Sequence, residues 1–131
     1  MPLTFSVTRA GFTMQAIVTR QSQDLLIQLI GGDVPHYGVV TTVSQQEAPA
    51  TIAMPSRPGH YHQEGVLTEQ LATQLRPNLQ SNAMIVGGMH VNEITPAQMQ
   101  ATQGMVTDLG DQILAWLADH PAAKPVERFS K

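Results

Sequence analysis

The sequence predicts one α+β domain, in which a mainly antiparallel sheet of about six strands carries two packed helices. Three observations support this. Apolar and polar residues alternate with a period of two in the first half of the chain, which is typical of strands. Two stretches in the second half place apolar residues at helical spacing. The order shows no repeated strand–helix alternation, so hairpins rather than parallel crossovers are expected.

Five strands are predicted in the first half, and polar or glycine-containing turns separate them. The first two strands are close enough to pair as a hairpin around Gly11. The third strand is almost wholly apolar, which predicts a central strand covered on both faces. The predicted bounds are Leu3–Thr8, Phe12–Thr19, Leu25–Ile30, Tyr37–Val43 and Thr51–Met54.

The second half predicts two helices with a strand between them. Leucines recur every fourth residue within Glu64–Leu75, which marks one apolar helix face. Ala83–Val86 is a short buried strand that runs into a pair of glycines. The run Thr95-Pro96-Ala97-Gln98 predicts the start of the second helix, because it supplies an N-cap, a proline at the first helical position and a capping box. This helix should end near His120.

The chain organisation is predicted to be simple. Residues 1–121 should form a single cofactor-binding domain, and residues 122–131 a short polar tail. Two glycines, Gly104 and Gly110, lie inside the second helix, where glycine weakens a helix by roughly 1 kcal/mol. Such positions allow another backbone to approach closely, so we expect a homodimer.

Composition excludes several classes of function. There are no cysteines, which removes disulfides, thiolate metal sites and cysteine nucleophiles and suits a reducing compartment. The net charge is -3 and there are only 7 Lys and Arg, so the chain lacks the basic surface that binds nucleic acid. No apolar run approaches the ~20 residues that span a bilayer. The first residues lack the features of a signal peptide, so a cytoplasmic protein without membrane attachment is expected.

Candidate site residues cluster in three glycine-flanked segments, 31–38, 58–64 and 87–93, which hold four of the five histidines. Paired glycines let a ligand approach the main chain, and a helix N-terminus favours phosphate. If the three segments meet at one end of the sheet, they form a phosphate cradle in which Tyr37 and Tyr61 offer flat surfaces for an aromatic ring. The candidate cofactor-binding residues are His36, Tyr37, Arg57, Gly59, His60, His90 and Glu93.

A metal site is the alternative interpretation of the same residues. His60 and His62 would face the same way on an extended segment, and His90 with Glu93 would complete a shell suited to zinc or manganese. These histidines lack the short, fixed spacing of the metal-binding motif H-E-x-x-H. The cofactor-binding interpretation therefore includes no metal and no catalytic residue. A small metal-dependent enzyme and a purely structural subunit remain open.

The order of these motifs resembles a known family, the prenylated-flavin chaperones that accompany bacterial gallate decarboxylase as a small accessory subunit. The resemblance covers about residues 10–118. It rests on the Gly31-Gly32-Asp33-Val34-Pro35-His36-Tyr37-Gly38 run, on Gly59-His60 opening a helix, and on Gly88-Met89-His90 before an acidic turn. It also implies a fold like that of proteasome-assembly chaperones, small α+β domains that tend to dimerise.

The resemblance implies a non-catalytic accessory subunit that binds prenylated FMN, or FMN. Such a protein would deliver the cofactor to, or mature it in, a decarboxylase of aromatic acids such as gallate or protocatechuate, as in tannin degradation. The implied partners are the catalytic subunit, a flavin prenyltransferase and a second copy of the chain. The cofactor phosphate is expected near the start of the first helix, beside Arg57, Gly59 and His60.

Overall fold

The computed structural model describes residues 2–55 and 65–130, which contain a six-stranded sheet and two helices. The strands run in the order β1-β2-β3-β6-β4-β5, and only the β3–β6 pair is parallel. The predicted α+β class, with a mainly antiparallel sheet, is therefore confirmed. The elements are β1 (Leu3–Arg9), β2 (Phe12–Gln21), β3 (Asp24–Gly32), β4 (Val39–Val43), β5 (Ala50–Ala53), α1 (Gly65–Leu75), β6 (Ala83–His90) and α2 (Pro96–Asp119).

Both helices pack on the same face of the sheet. Helix α2 lies on β1 and β2, and α1 lies on β4, β5 and β6. Every second strand residue therefore points into one core, as the period of two requires. The largest fully buried apolar side chains in this core are Met14, Ile27, Leu71, Leu75, Ile85, Met105, Leu109 and Ile113.

Neither helix of the described residues covers the opposite face of the sheet, so the prediction that β3 is covered on both faces is wrong. The strand is central, but Leu26 is 36% exposed, and Gln28 and Ile30 are only half-buried. An almost continuous apolar run usually indicates two covered faces. In this chain the run reflects one packed face and one apolar face without a helical layer.

The two glycine pairs, Gly31-Gly32 and Gly87-Gly88, lie within their strands. The predicted ends of these strands at Ile30 and Val86, before the glycines, are therefore wrong. Strand β3 continues through Gly32 and β6 continues through His90, so that Ile30 pairs with Gly88 and Gly32 pairs with His90. Strand β4 begins at Val39 rather than at Tyr37. The backbone ladder persists through the glycines because the strands support each other as a parallel pair.

The predicted start of α2 is confirmed in detail. The Gln98 backbone N–H donates to Thr95 Oγ1 at 3.1 Å, and the Thr95 N–H donates to Gln98 Oε1 at 3.0 Å. These are the two reciprocal bonds of a capping box. The helix ends at Asp119, with His120 as its C-cap.

Three threonine hydroxyls attach the start of α1 to the sheet. Thr41 Oγ1 lies 2.7 Å from Thr51 Oγ1 and 2.7 Å from Thr68 Oγ1, and Thr68 donates to the Gly65 carbonyl at 3.2 Å. Thr41 and Thr68 are fully buried. A hydroxyl donates one proton, so the chain Thr51 to Thr41 to Thr68 to Gly65 satisfies every donor. This chain fixes the first turn of α1 against β4 and β5.

The two glycines of α2 contact side chains of their own chain. A Cβ at Gly104 would meet the Arg9 guanidinium, and one at Gly110 would meet the Gln74 amide. Arg9 also forms an ion pair with Asp108. These positions are thus filled within the protomer, so they no longer support close packing by a second copy. The homodimer stays a prediction.

Beyond Asp119, residues 121–130 have no regular secondary structure. Ala122 is held by the Gln80 side chain through bonds of 2.8 Å and 2.9 Å. Val126 and Phe129 are exposed. Of the described residues, neither helix has the length and apolar character required to cross a lipid bilayer.

Candidate functional site

Two of the three glycine-flanked segments meet where the parallel strands β3 and β6 end. The Asp33 and Val34 N–H groups both donate to the His90 carbonyl, at 2.6 Å and 3.1 Å. The Asn92 N–H donates to Asp33 Oδ2 at 2.7 Å. The Gly38 N–H also donates to the Gly87 carbonyl at 2.8 Å, so segment 31–38 is bound to segment 87–93 at both of its ends, and the Asp33 bond is charge-assisted. The sequence suggested that these segments could converge, and the structure brings them together.

Gly32 is the residue on which this junction depends. Its φ is +79°, in the left-handed region that favours glycine. A Cβ at this position would overlap the His90 carbonyl oxygen. The carbonyl is the same atom that accepts from Asp33 and Val34, so a side chain at residue 32 would displace the acceptor of both bonds.

His36 folds back over the open side of the sheet. Its Nδ1 lies 2.9 Å from the Val34 carbonyl, which fixes the ring relative to its own loop. Its main chain and ring occupy the space above Gly88, where a Cβ would be 3.0 Å from His36 Cδ2 and would overlap the His36 carbonyl oxygen. The half-buried imidazole therefore sits on the face that the helices leave open.

Tyr37 is connected to the same face. Its hydroxyl donates to Gln28 Oε1 at 2.5 Å, and its side chain is otherwise 63% exposed. Gln28 lies in the middle of the central strand β3, nine residues earlier in the chain. This bond holds the phenol ring beside the sheet, where one face of the ring can contact a ligand.

We call the surface around Gln28 the open face. Gln15, Thr19 and Thr42 are polar residues at the border of this face, and its centre consists of Gln28 and apolar residues that alternate with the core-facing residues of β2, β3, β4, β5 and β6. The central residues are Ile17, Leu26, Gln28, Ile30, Val40, Ile52, Met84 and Val86. Ile52 is 70% exposed and Met84 is 48% exposed. An exposed apolar surface of this kind is typical of a ligand-binding or protein-binding site.

Sequence reasoning missed Gln28. The residue interrupts the run Leu25-Leu26-Ile27-Gln28-Leu29-Ile30 at a position that faces away from the core. A polar residue in the middle of an apolar strand was the available signal, and it was assigned no role.

His90 and Glu93 lie at the end of the same surface. His90 is exposed, and its Nε2 lies 3.1 Å from Asn92 Oδ1. Glu93 is exposed and adopts a φ of +53°, in the turn that leads towards α2. A non-glycine residue in this region is uncommon and marks a tightly constrained turn. Both side chains are thus accessible to a ligand at the carboxyl end of β6.

The other predicted site residues, Arg57, Gly59, His60 and His62, lie outside the described residues, as do Tyr61 and Glu64. The residues on either side of segment 56–64 are described. The Met54 N–H donates to the Gly38 carbonyl at 2.7 Å, and Gly65 lies beside Val39 and Thr51. Both positions adjoin the start of β4, which is the end of the sheet where β3 and β6 finish.

The N-terminus of α2 is less available to an anion than the sequence suggested. The capping box engages the Gln98 N–H, and the proline at the first helical position has no N–H to offer. Two of the first three residues of α2 therefore offer no free main-chain N–H to a phosphate.

Metal ligands do not cluster in the part of the chain that the structure describes. Within residues 2–55 and 65–130, no group of three or more His, Asp or Glu side chains is placed to hold a metal ion. Of the alternative ligand set, His90 and Glu93 are described and His60 and His62 are not.

A shallow groove between the two helices is a weaker candidate. Its amides already bond the opposite helix: Gln70 Nε2 donates to the Gln103 carbonyl at 2.9 Å, and Gln74 Nε2 donates to the Thr107 carbonyl at 3.0 Å. These bonds join α1 to α2, so we assign the groove a structural role. The groove is lined by Glu69, Gln70, Thr73, Gln74 and Thr107.

Comparison with known proteins gives one consistent result. The family described as the prenylated flavin chaperone LpdD-like domain matches residues 8–118. A curated relative, Protein LpdD of Lactiplantibacillus plantarum, is 41% identical over 124 residues, which cover 93% of this chain and 91% of the relative. The matched region includes every described residue of the candidate site.

Proposed function

Because the chain belongs to the LpdD-like prenylated flavin chaperone family, we propose that it binds prenylated FMN and hands it to a decarboxylase. The proposed recipient is the catalytic subunit of an enzyme that removes CO2 from aromatic acids such as gallate or protocatechuate. The chain itself is proposed to be non-catalytic, cytoplasmic and homodimeric. A flavin prenyltransferase is the proposed source of the cofactor.

The main structural support is the joining of segments 31–38 and 87–93 at the edge of the open face. A flavin combines a flat, largely apolar ring system with a charged phosphate. The open face offers an apolar surface around Gln28, and the adjoining loops supply histidines and main-chain groups. Ligand sites commonly combine such an apolar lining with a few polar groups that fix orientation. The residues present therefore fit the chemistry of the group.

Each predicted residue has a place in this proposal. Tyr37 lies against the ring system, and His36 and His90 close the site from the two joined segments. The phosphate lies near the start of α1, where the main chain around Gly59 and His60 would bind it beside the Arg57 charge. Glu93 borders the site on the side of β6. When bound, the cofactor is cargo, and its decarboxylation chemistry takes place in the partner.

Native mass spectrometry tests this proposal. The protein is co-expressed with a flavin prenyltransferase, purified without oxygen and then mixed with the cofactor-free catalytic subunit. We expect a mass increment of one prenylated FMN per chain, and its transfer to the catalytic subunit on mixing. A wild-type protein that carries no flavin, and that binds none when FMN or prenylated FMN is added, would contradict the proposal. Bound zinc or manganese in stoichiometric amount would favour the metal-dependent alternative.

A further inference from the structure

The centre of the open face carries one polar side chain among apolar neighbours. Gln28 is flanked across the sheet by Ile17 on β2 and Val86 on β6, and along its own strand by Leu26 and Ile30. All four neighbours are apolar. A half-buried amide in such surroundings loses hydration and is stabilised only by the hydrogen bonds it makes.

The hydrogen-bonding capacity of Gln28 is only partly used. Its Oε1 accepts from the Tyr37 hydroxyl at 2.5 Å, and its Nε2 makes no hydrogen bond to any other described residue. A primary amide has two N–H donors and an oxygen with two lone pairs. Two donors and one lone pair therefore remain for a ligand. The bond to Tyr37 uses only the amide oxygen, so the two N–H donors of Gln28 are better explained by recognition than by stability.

We propose that Gln28 recognises the flavin ring by pairing with the polar edge of its pyrimidine ring. Its Nε2 donates to a ring carbonyl, and the free lone pair of Oε1 accepts the N3–H. This inference rests on the proposed function and identifies the residue that selects a flavin over other anionic ligands. Tyr37 is a positioning residue, since its hydroxyl orients Oε1 and leaves Nε2 directed away from the loop.

The chemistry of the two surfaces is complementary. The pyrimidine edge of a flavin presents carbonyl, N–H and carbonyl in sequence, and the rest of the tricyclic system is apolar. The open face presents one amide surrounded by aliphatic side chains. A ring lying flat on β3 and β6 would pair with Gln28 at one edge and contact Val86 and Met84 with its apolar remainder.

The position of Gln28 also fits the length of the ligand. Gln28 precedes Gly32 by four residues, and Gly32 pairs with His90. At about 3.3 Å per residue, Gln28 lies about 13 Å from the end of the sheet that carries the loops. This distance is comparable with the reach of an extended FMN from ring to phosphate. Because the His36 loop occupies the space above Gly88, a molecule that contacts Gln28 with its ring would reach this end of the sheet with its phosphate by passing beside that loop.

The first experiment compares two Gln→Leu variants in binding oxidised FMN, followed by flavin fluorescence. Gln28→Leu removes the amide and its exposed bond to the Tyr37 hydroxyl but keeps an apolar side chain among apolar neighbours, so its melting temperature should fall only slightly. We expect its FMN affinity to fall about tenfold to a hundredfold. The matched control is Gln112→Leu on the exposed side of α2, where the amide donates to the Ser6 carbonyl at 3.3 Å. It should bind FMN like the wild type.

A modified ligand gives an independent measurement that does not depend on the variant. In N3-methyl FMN a methyl group replaces the hydrogen on N3. The wild type should therefore bind N3-methyl FMN more weakly than FMN, by most of the factor by which Gln28→Leu weakens FMN binding. The variant should bind FMN and N3-methyl FMN with similar affinity, because the interaction is already absent. Coupling of this kind is not expected from a residue that acts only through folding.

Three outcomes would overturn the inference, and they are distinguishable from failure of the proposed function. If the wild type binds FMN and Gln28→Leu binds it equally well, Gln28 does not recognise the ring, while the proposed function stands. If the wild type binds FMN and N3-methyl FMN with equal affinity, the site does not recognise the polar edge of the pyrimidine ring. If Gln28→Leu changes the particle mass but not the flavin affinity, a second copy occupies the open face. A wild type that binds no flavin at all removes both proposals.

Discussion

The main chain of His36 lies where a side chain at residue 88 would stand. Gly88 pairs with Ile30 of the neighbouring strand, and the loop before β4 crosses directly above it. The loop that carries His36 and Tyr37 can therefore pack this closely on the sheet because residue 88 has no Cβ. This contact links the geometry of the candidate site to a single residue of β6.

Gly88→Ala should displace this loop. The added methyl group would overlap the carbonyl oxygen of His36, and a main-chain atom cannot move aside as the end of a flexible side chain can. We expect a destabilisation of about 1–3 kcal/mol together with weaker flavin binding. Thermal melting and FMN fluorescence measure the two effects. Unchanged melting and unchanged binding would show that the loop does not rest on Gly88.

Gly104→Ala should have the opposite effect on stability. The new Cβ meets only the terminal guanidinium of Arg9, which can shift, and alanine is favoured over glycine in a helix by up to about 1 kcal/mol. We expect the melting temperature to rise or to stay the same. Light scattering should give the same particle mass as for the wild type, which we expect to be twice 14.2 kDa. A variant that falls to a monomer would place a partner backbone at this glycine after all.

His90→Ala and His36→Ala should weaken flavin binding by about tenfold to a hundredfold, as expected for loss of one charge-assisted hydrogen bond. His60→Ala should behave in the same way. His90 is exposed and its ring bonds only Asn92 among the described residues, so its removal should change the melting temperature little.

His120→Ala is the control for these histidines. Its ring stacks on Trp116 at the far end of α2, away from the open face. Binding of flavin by this variant should equal that of the wild type. If the three site variants bind flavin normally, the phosphate is held elsewhere; if they unfold the protein, the histidines are structural.

Thr41→Val should destabilise the domain by about 1–3 kcal/mol, because it interrupts the hydroxyl chain between Thr51 and Thr68 in a buried environment. The control is Thr42→Val, one residue along the same strand but exposed. Surface changes of this type usually stay within about 0.5 kcal/mol. Chemical denaturation of the two variants compares them directly, and equal midpoints would show that the hydroxyl chain contributes nothing.

The isolated chain should not decarboxylate gallate or protocatechuate when prenylated FMN is supplied. The sequence contains no recognisable nucleophile motif, and in the proposed function the cofactor is cargo. Carbon dioxide release by the pure chain, above that of free cofactor, would contradict the proposed accessory role. The matched positive control is the same assay in the presence of the catalytic partner.

Local chemistry determined which parts of the fold the sequence could predict. The Thr95 capping box and the first hairpin depend on neighbouring residues, and both were correct. The ends of β3 and β6 were not, because glycine pairs signal turns locally, whereas here they remain in strands under the loop that carries His36. The number of covered faces is likewise set by where the helices pack, which an apolar run does not encode.

For the candidate site too, the sequence could predict features that depend on neighbouring residues but not contacts between distant segments. The sequence identified His36, Tyr37 and His90 as candidates, and the structure places all three at one end of the open face or beside it. It could not show that Tyr37 bonds Gln28, because that contact joins a loop to a strand across the sheet. The role of Gln28 depends on its neighbours in β2 and β6, which are adjacent only after pairing.

The place of β6 in the sheet has a consequence for biosynthesis. The strand that joins the two halves of the sheet is the last of the six to leave the ribosome, yet it separates β3 from β4. Until it emerges, a three-stranded meander and a two-stranded hairpin each carry an unpaired inner edge, which is the kind of edge that promotes aggregation. The candidate site forms at the ends of β3 and β6, so a nascent chain gains it only after this closing step. Cofactor loading would then be confined to chains whose sheet is complete.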